Sequence, residues 1–256
     1  MEEKKVIQRF WEIDFLRGIA IIMMVLYHLL YNLYYFAHYH VNVYSGFWMY
    51  FARTTATIFI FLVGVSISIS FSRTKNISSD TKEARLFLKY LRRGLKVFSW
   101  GLIITLVTWQ FLREGFIIFG ILHLIGISII LAYPFLKLRY WNLFIGLFCL
   151  FLGAYLKGFV FNFYWLSWLG FRPAQFYSVD YFPLLPWFGL VLIGIFFGNL
   201  LYPDYSRKFQ LANFSSFSVI KIFCFLGKNS LFIYLIHQPL IIVLLYLFGM
   251  VKVNLL

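Results

Sequence analysis

Charged side chains are scarce in this chain, and their scarcity distinguishes it from soluble proteins. Only 12% of the 256 residues are charged, whereas about a quarter are charged in a soluble domain. Hydrophobic residues make up 62% of the chain, and the mean hydropathy is +0.82. These values exclude an ordinary soluble domain and are typical of a polytopic membrane protein.

Cysteine and acidic residues are also few. The cysteines, Cys149 and Cys224, lie in different segments, so they indicate no disulfide framework, and no metal-binding spacing of residues is present. Nine acidic residues stand against 23 basic ones, which gives a net charge of +14. In a soluble protein this balance would suggest nucleic acid as a partner. Whether the positive charge indicates nucleic acid or a membrane therefore depends on where the basic residues lie in the chain.

Long apolar runs indicate the architecture. A spanning helix needs roughly 20 apolar residues, and on this basis residues 1–256 are predicted to form one all-α domain, a membrane helical bundle of about seven spans. The predicted spans are 12–36, 46–71, 93–111, 116–136, 140–157, 185–202 and 229–250. The aromatic stretch Phe159–Phe171 is shorter and is predicted to be re-entrant or interfacial. Basic and aromatic residues alternate in Ser206–Phe225, which is predicted to lie along the membrane interface.

The basic residues predict the orientation of the chain. With the N-terminus inside, 18 of the 23 lysines and arginines fall in the inner segments. Inner segments of membrane proteins carry such an excess of positive charge. The chain is therefore predicted to lie in the cytoplasmic membrane with its N-terminus inside and Leu256 outside. The bilayer then accounts for the charge, and no nucleic-acid partner is expected.

The first predicted span carries a polar stripe on an otherwise apolar helix. Asp14, Arg17, His28 and Asn32 fall within about 60° of arc at 100° per residue. Ionisable groups inside a membrane are costly and usually face a cavity, a partner or the interior of a bundle. The stripe therefore favours a functional site. The alternative is that Asp14 and Arg17 pair near the headgroups while His28 is a satisfied core residue.

Four more polar residues lie in later spans. Arg53 is near the outer end of the second span, where it can snorkel or pair with Asp180. His123 and His237 are expected near the midplane of the bilayer, and Gln238 follows His237 directly. Histidines at graded depth are compatible with a proton path or an acyl-transfer tunnel.

Two connections between the spans also carry candidate residues. In the inner segment Ser72–Leu95 and just beyond it, basic residues share one helical face. They are Arg85, Lys89, Arg92 and Lys96. This face either anchors the chain to anionic lipid or binds the phosphates of a nucleotide-like ligand. The long outer connection Lys157–Leu184 holds Asp180, which is either a loop-capping residue or part of a functional loop.

Five stretches resemble a known family. They are Ile13–Ala20 through His28, Arg53 with Phe61–Ser66, Phe119–Gly126, Pro183–Gly189 and Leu226–Pro239. In this order they are similar to the catalytic domain of heparan-α-glucosaminide N-acetyltransferases in its short prokaryotic form. The first and last stretches also look like acyltransferase family 3, whose members O-acylate sugars. The resemblance implies transfer of an acyl group, with acetyl as the expected one, from cytoplasmic acyl-CoA to an acceptor, often a sugar, reached from the far side. Acetyl-CoA is then a cosubstrate, and no permanently bound cofactor is expected.

Acyl transfer to an alcohol or amine needs a base or a nucleophile, an orienting acid and a donor for the developing oxyanion. His28 is the candidate base or covalent carrier, Asp180 its orienting acid, and Asn32 or Arg53 the oxyanion donor. Basic groups are expected to hold the CoA phosphates; these are Arg17, Arg92, Arg93 and Lys96. The remaining candidates for binding the two substrates are Asp14, His123, His237 and Gln238.

Two other functions remain open on the residues alone. A proton-coupled small-molecule transporter would also place histidine and arginine inside the membrane. The absence of an inverted repeat or of paired broken helices argues against it. The other candidate is a non-catalytic membrane assembly partner, and a homodimer is compatible with each of these functions.

Overall fold

The computed structural model describes residues 9–37, 39–77, 83–112 and 114–250. Within these ranges the chain forms eight α-helices and no β-strand, so the predicted all-α class is confirmed. The helices are α1 (Trp11–Ala37), α2 (Gly46–Ile77), α3 (Glu83–Leu112), α4 (Ile121–Phe135), α5 (Trp141–Leu156), α6 (Leu184–Leu201), α7 (Ser218–Lys228) and α8 (Ser230–Leu247).

Five of the described helices are long and apolar enough to cross a membrane: α1, α2, α3, α6 and α8. Helices α4 and α5 are apolar but have only 15 and 16 residues, whereas roughly 20 are needed to span. A membrane helical bundle is consistent with these lengths. The predicted number of seven spans is not confirmed.

The polar stretch between the second and third predicted spans is more helical than expected. Helix α2 continues to Ile77, and α3 begins at Glu83, ten residues before its predicted start at 93. The basic residues that separate the apolar runs follow helical spacing, so they extend the helix on an exposed face. Residues 78–82 between the two helices lie outside the described ranges.

The aromatic stretch Phe159–Phe171 contains no helix of spanning length. It holds one short 3-10 turn, Ser167–Leu169, and an isolated bridge between Phe161 and Pro173. The backbone N–H of Phe161 donates to the carbonyl of Arg172 at 3.1 Å. The prediction that this stretch is not a spanning helix is confirmed.

The chain divides into two compact units. The first comprises Met1–Phe59 and Leu211–Leu256, and the second comprises Ile60–Gln210, so the boundary falls inside α2. This division does not test the predicted single domain over 1–256.

In the first unit, α1 packs against α7 and α8. A side chain on Gly18 would collide with the backbone of Phe223, and one on Gly227 with the backbone of Asp14. Glycine is required at both positions because the two helix backbones approach this closely. The Cys224 thiol donates to the carbonyl of Trp11 at 3.3 Å. Helix α8 adds an apolar cluster in which Ile241 and Leu245 pack against side chains of α1: Val25, Leu29, Leu33 and Phe36.

Helix α7 covers the end of the segment Ser206–Phe225, which was predicted to lie along the membrane interface. It buries Cys224 and Gly227 and exposes the apolar side chains of Val219, Ile222 and Phe225. One exposed apolar face on a short helix is typical of interfacial helices. Its location at the interface stays a prediction.

In the second unit, the main helix pairs are α3 with α4 and α5 with α6. Helix α2 also meets α6, where Gly64 lies against Val191 and Gly194. Glycine at this position permits the close approach of the two helices. Ser66 of the same helix donates its hydroxyl to the carbonyl of Leu62 at 2.5 Å.

Candidate active site

The polar stripe of α1 begins with an ion pair. Asp14 is 2% exposed, and its Oδ1 atom accepts from Arg9 at 2.8 Å and from Arg17 at 3.3 Å. The pair with Arg17 is the i, i+3 pair that the sequence analysis gave as an alternative. Asp14 Oδ2 is buried and has no hydrogen-bond partner among the described residues. At this end of α1 the charge of Asp14 is therefore paired with two arginines of the same chain.

His28 is held in one orientation by its own helix. Its Nδ1 atom lies 2.9 Å from the carbonyl oxygen of Met24. A carbonyl oxygen only accepts, so Nδ1 carries the proton and Nε2 keeps a lone pair. That tautomer is the one a general base needs, because Nε2 is then ready to take a proton.

His237 on α8 repeats the arrangement. Its Nδ1 atom donates to the carbonyl of Tyr234 at 2.6 Å. Its Nε2 atom is buried and has no hydrogen-bond partner in the described part of the chain. The ring centroids of His28 and His237 are 4.8 Å apart, with the ring planes at 78°. Two imidazoles with protonated Nδ1 atoms therefore meet where α1 and α8 pack.

One helical turn beyond His28, a second polar pair joins α1 to α8. Asn32 is 1% exposed, and its Nδ2 group donates to Oε1 of Gln238 at 2.7 Å. We call the four residues His28, Asn32, His237 and Gln238 the histidine seam. The seam combines a base in a defined tautomer with amide groups, which are the parts that acyl transfer to a hydroxyl or amine requires.

The third histidine of the predicted spans, His123, lies in the second unit and has a different environment. His123 Nδ1 accepts the backbone N–H of Gly120 at 3.2 Å, so its proton is on Nε2, which lies 3.4 Å from the hydroxyl of Thr105. Asp180 Oδ2 accepts the backbone N–H of the next residue, Ile121, at 3.2 Å. These two side chains thus satisfy backbone donors at the start of α4, which have no partner inside the helix.

Burial of the Asp180 carboxyl group raises its pKa from its ordinary value of 3.8 to about 6, and the hydrogen bond from Ile121 opposes this shift only in part. The folded state therefore binds the proton more tightly than the unfolded state does. The contribution of this carboxyl group to stability should be fully present below about pH 4 and should be lost as the pH rises through about 6.

We expect Asp180→Asn to remove this pH dependence, because the amide still accepts from Ile121 but does not titrate. The measurement is the melting temperature of both proteins in detergent between pH 4 and 7. The difference between wild type and variant should change across that range, since the other titrating groups cancel. A constant difference would show that Asp180 does not titrate in this window.

The basic face of α3 is exposed, as its helical spacing predicts. Arg85, Lys89 and Arg92 line an open groove of about 490 Å³ together with Leu88. Arg93 and Lys96 are also exposed. This surface is suited to binding phosphate groups or anionic lipid.

Arg53 is exposed on the part of α2 that belongs to the first unit. Its predicted pairing with Asp180, and its role as oxyanion donor, stay predictions. Within the described residues, no three histidine, cysteine, aspartate or glutamate side chains form a group that could hold a metal ion.

A sequence model of the family described as "Heparan-alpha-glucosaminide N-acetyltransferase, catalytic" matches residues 9–239. The chain belongs to this family. The match covers nearly the whole chain and includes every candidate residue named above, from Asp14 to Gln238. No curated protein and no solved structure matches the chain.

Membership in this N-acetyltransferase family supports an acetyltransferase that acts on sugar-like acceptors. The apolar helices are consistent with a multi-pass membrane location. The transferase class and the resemblance stated from the five sequence stretches are thereby confirmed.

The structure distributes the candidate residues of this acetyltransferase over both units. The first unit holds Asp14, Arg17, His28, Asn32, Arg53, His237 and Gln238, and the second holds Arg92, Arg93, Lys96, His123 and Asp180. The pairing of His28 with Asp180 would join the two units and stays a prediction. In the first unit the Nδ1 partner of His28 is the Met24 carbonyl. Sequence reasoning missed this partner because a backbone carbonyl has no signature in the residue pattern.

Proposed function

We propose that this protein is a membrane acyltransferase that moves an acetyl group from cytoplasmic acetyl-CoA to a hydroxyl or amine of a sugar-like acceptor. The family supports acetyl transfer, and one observation supports His28 as the base in that reaction. His28 is held by Met24 with its Nε2 lone pair available, beside a second imidazole with the same tautomer. Asp180 is proposed to face an acceptor that arrives from the outer side.

In the proposed reaction His28 acts as the general base. Its Nε2 atom takes the proton of the acceptor while the acceptor oxygen or nitrogen attacks the carbonyl carbon of the thioester. The tetrahedral intermediate collapses, the carbon–sulfur bond breaks, and the leaving sulfur takes the proton from His28 Nε2, which gives the CoA thiol and restores the base. The Met24 carbonyl keeps the ring oriented and stabilises its protonated form, which is the role of the orienting acid in a catalytic triad.

Cations on the inner side are proposed to hold the phosphates of CoA. Arg92, Arg93 and Lys96 present an exposed basic surface on α3, and Arg17 is a further candidate on α1. Arginine suits this role because its planar donors match phosphate oxygens in pairs. The N-terminus is proposed to lie inside and the C-terminus outside, although Leu256 itself falls outside the described residues.

Reversing the charge of Arg92 and Arg93 together, with both replaced by glutamate, should weaken CoA binding at least about tenfold, or ~1.4 kcal/mol. Added salt should weaken binding to the wild type in the same direction, because it screens exposed charges. Calorimetric titration with CoA measures both effects. The matched control reverses Arg207 and Lys208, two basic residues of the predicted interfacial segment Ser206–Phe225 that do not line the α3 groove. Equal binding by all three proteins would leave the α3 face as a lipid anchor.

The proposal is tested with purified protein, acetyl-CoA and a panel of sugars that carry free amines or hydroxyls. We expect free CoA thiol to appear only when an acceptor is present, together with an acetylated sugar detectable by mass spectrometry. A transporter or an assembly partner would release no thiol with any acceptor. That result would overturn the proposed function.

A further inference from the structure

The amide pair of the histidine seam has a direction, and the direction determines how many N–H donors each side chain has left. Asn32 Nδ2 donates to Gln238 Oε1 at 2.7 Å. A carboxamide has one accepting oxygen and one NH₂ group with two donors. Because Gln238 contributes its oxygen to this bond, it keeps both N–H donors of its Nε2 group for another acceptor, whereas Asn32 has one N–H donor left.

Burial separates the two amides further. Asn32 is 1% exposed, whereas Gln238 is partly exposed on α8. Asn32 is therefore enclosed and holds its partner, while Gln238 is the amide that an entering molecule can reach. An amide whose carbonyl end is fixed has little rotational freedom left at its Nε2 end.

The position of Gln238 relative to the base follows from the two cross-contacts of the seam. Asn32 lies four residues after His28 on α1, which is a rise of about 6 Å. His237 packs on His28 at 4.8 Å, and Gln238 is the next residue of α8. The Gln238 amide thus lies within about one helical turn of the base. In acyl transfer the base contacts the attacking atom and the oxyanion donor contacts the carbonyl oxygen, and both atoms are bonded to the same carbon.

We infer that Gln238 Nε2 donates a hydrogen bond to the oxyanion of the acyl-transfer intermediate, and that Asn32 is the positioning residue that fixes the Gln238 amide. This inference rests on the proposed function. As the acceptor attacks, the electron pair of the carbonyl double bond moves to oxygen, and the Gln238 N–H stabilises that negative charge. The pair returns to the carbon when the carbon–sulfur bond breaks. The role assigned from sequence to Asn32 thereby passes to its hydrogen-bond partner.

The main test is Gln238→Met, which keeps the length of the side chain and removes the donor. We expect kcat to fall about 10²–10³-fold, the usual cost of removing one oxyanion donor. KM for acetyl-CoA should stay within about threefold, because the contact forms only in the transition state. Gln238→Glu, assayed at pH 8, keeps the oxygen that accepts from Asn32 but has no N–H group, so it should show a similar loss of kcat in a folded protein. Asn32→Leu should lower kcat less, because the donor remains but is no longer fixed.

The matched control is another buried polar pair, in the second unit. Ser68 donates to Asn199 Oδ1 at 2.6 Å. We expect Asn199→Leu to lower the melting temperature and to leave kcat unchanged, so that loss of stability can be separated from loss of the donor.

Three results would overturn the inference while the proposed function stands. They are an unchanged kcat in both Gln238 variants, a loss confined to KM, or an equal kcat loss in Asn199→Leu. A wild type that releases no CoA thiol with any acceptor would instead overturn the proposed function itself. The two failures are therefore distinguishable in one set of assays.

Discussion

Replacement of His28 by alanine is expected to lower acceptor-dependent turnover at least about 100-fold, the usual contribution of a positioned acid–base group. Nothing else in the seam replaces its Nε2 lone pair without moving a helix, since His237 is fixed by its own carbonyl. Folding should be nearly intact, because His28 is only half-buried and its one described hydrogen bond is to its own helix. Turnover is measured as CoA thiol release and CoA affinity by calorimetry.

Two comparisons make the His28 result interpretable. If His28 carries the acetyl group covalently, the wild type should retain labelled acetyl in the absence of acceptor and the alanine variant should not. His40, exposed in the connection that follows α1, is the histidine to replace in parallel. If His28→Ala keeps full turnover and His40→Ala loses it, the base is not in the histidine seam.

Gly227→Val is expected to prevent the first unit from folding around α1. A Cβ at this position would lie 2.7 Å from the carbonyl carbon of Asp14 and 3.0 Å from the backbone nitrogen of Gly18. Both atoms belong to backbone, so a helix has to move to make room. Overpacking against flexible side chains costs about 1–3 kcal/mol, and we expect at least the upper end here. That is a large share of the about 5–15 kcal/mol that stabilises a typical fold.

The measurement is the yield of monodisperse protein in detergent and its melting temperature. Gly158→Ala is the control, because its nearest new contact is the Tyr155 carbonyl at an ordinary 3.4 Å. Equal yield and melting temperature for Gly227→Val and wild type would show that α1 and α7 do not pack this closely.

The polar stripe of α1 could be read from sequence because it depends only on helical periodicity. Residues 14, 17, 28 and 32 share one face of any regular helix. The pair of Asp14 with Arg17 follows from the same spacing, and it is present in the structure. Contacts within one element are thus accessible to sequence reasoning.

The other side of the seam is inaccessible to that reasoning. His237 and Gln238 are some 200 residues away from their partners on α1, and no local pattern brings α8 beside α1. The carbonyls that fix the two histidines belong to backbone and have no residue type to recognise. For both reasons neither the tautomers nor the direction of the amide pair could be predicted from the sequence.

A polar residue inside an apolar span can have either a functional or a structural role, and the sequence alone does not show which. His123 and His28 look alike in sequence, yet His123 Nδ1 accepts a backbone N–H at the start of α4. Asp180, which lies 59 residues away from Ile121, does the same for the adjacent donor. Helix ends need such partners wherever they are buried, and the position of a buried helix end was not evident from the apolar runs. The substrate-binding role assigned to His123 stays a prediction.

The proposed chemistry resides in the histidine seam and not at the start of α4. The most direct test measures turnover and melting temperature for His28→Ala and His123→Ala side by side. We expect His28→Ala to lose at least about 100-fold in turnover and to keep its melting temperature. We expect His123→Ala to melt earlier, while its folded fraction keeps the wild-type kcat at saturating substrate. The reverse pattern, with turnover lost in His123→Ala and kept in His28→Ala, would contradict this proposal.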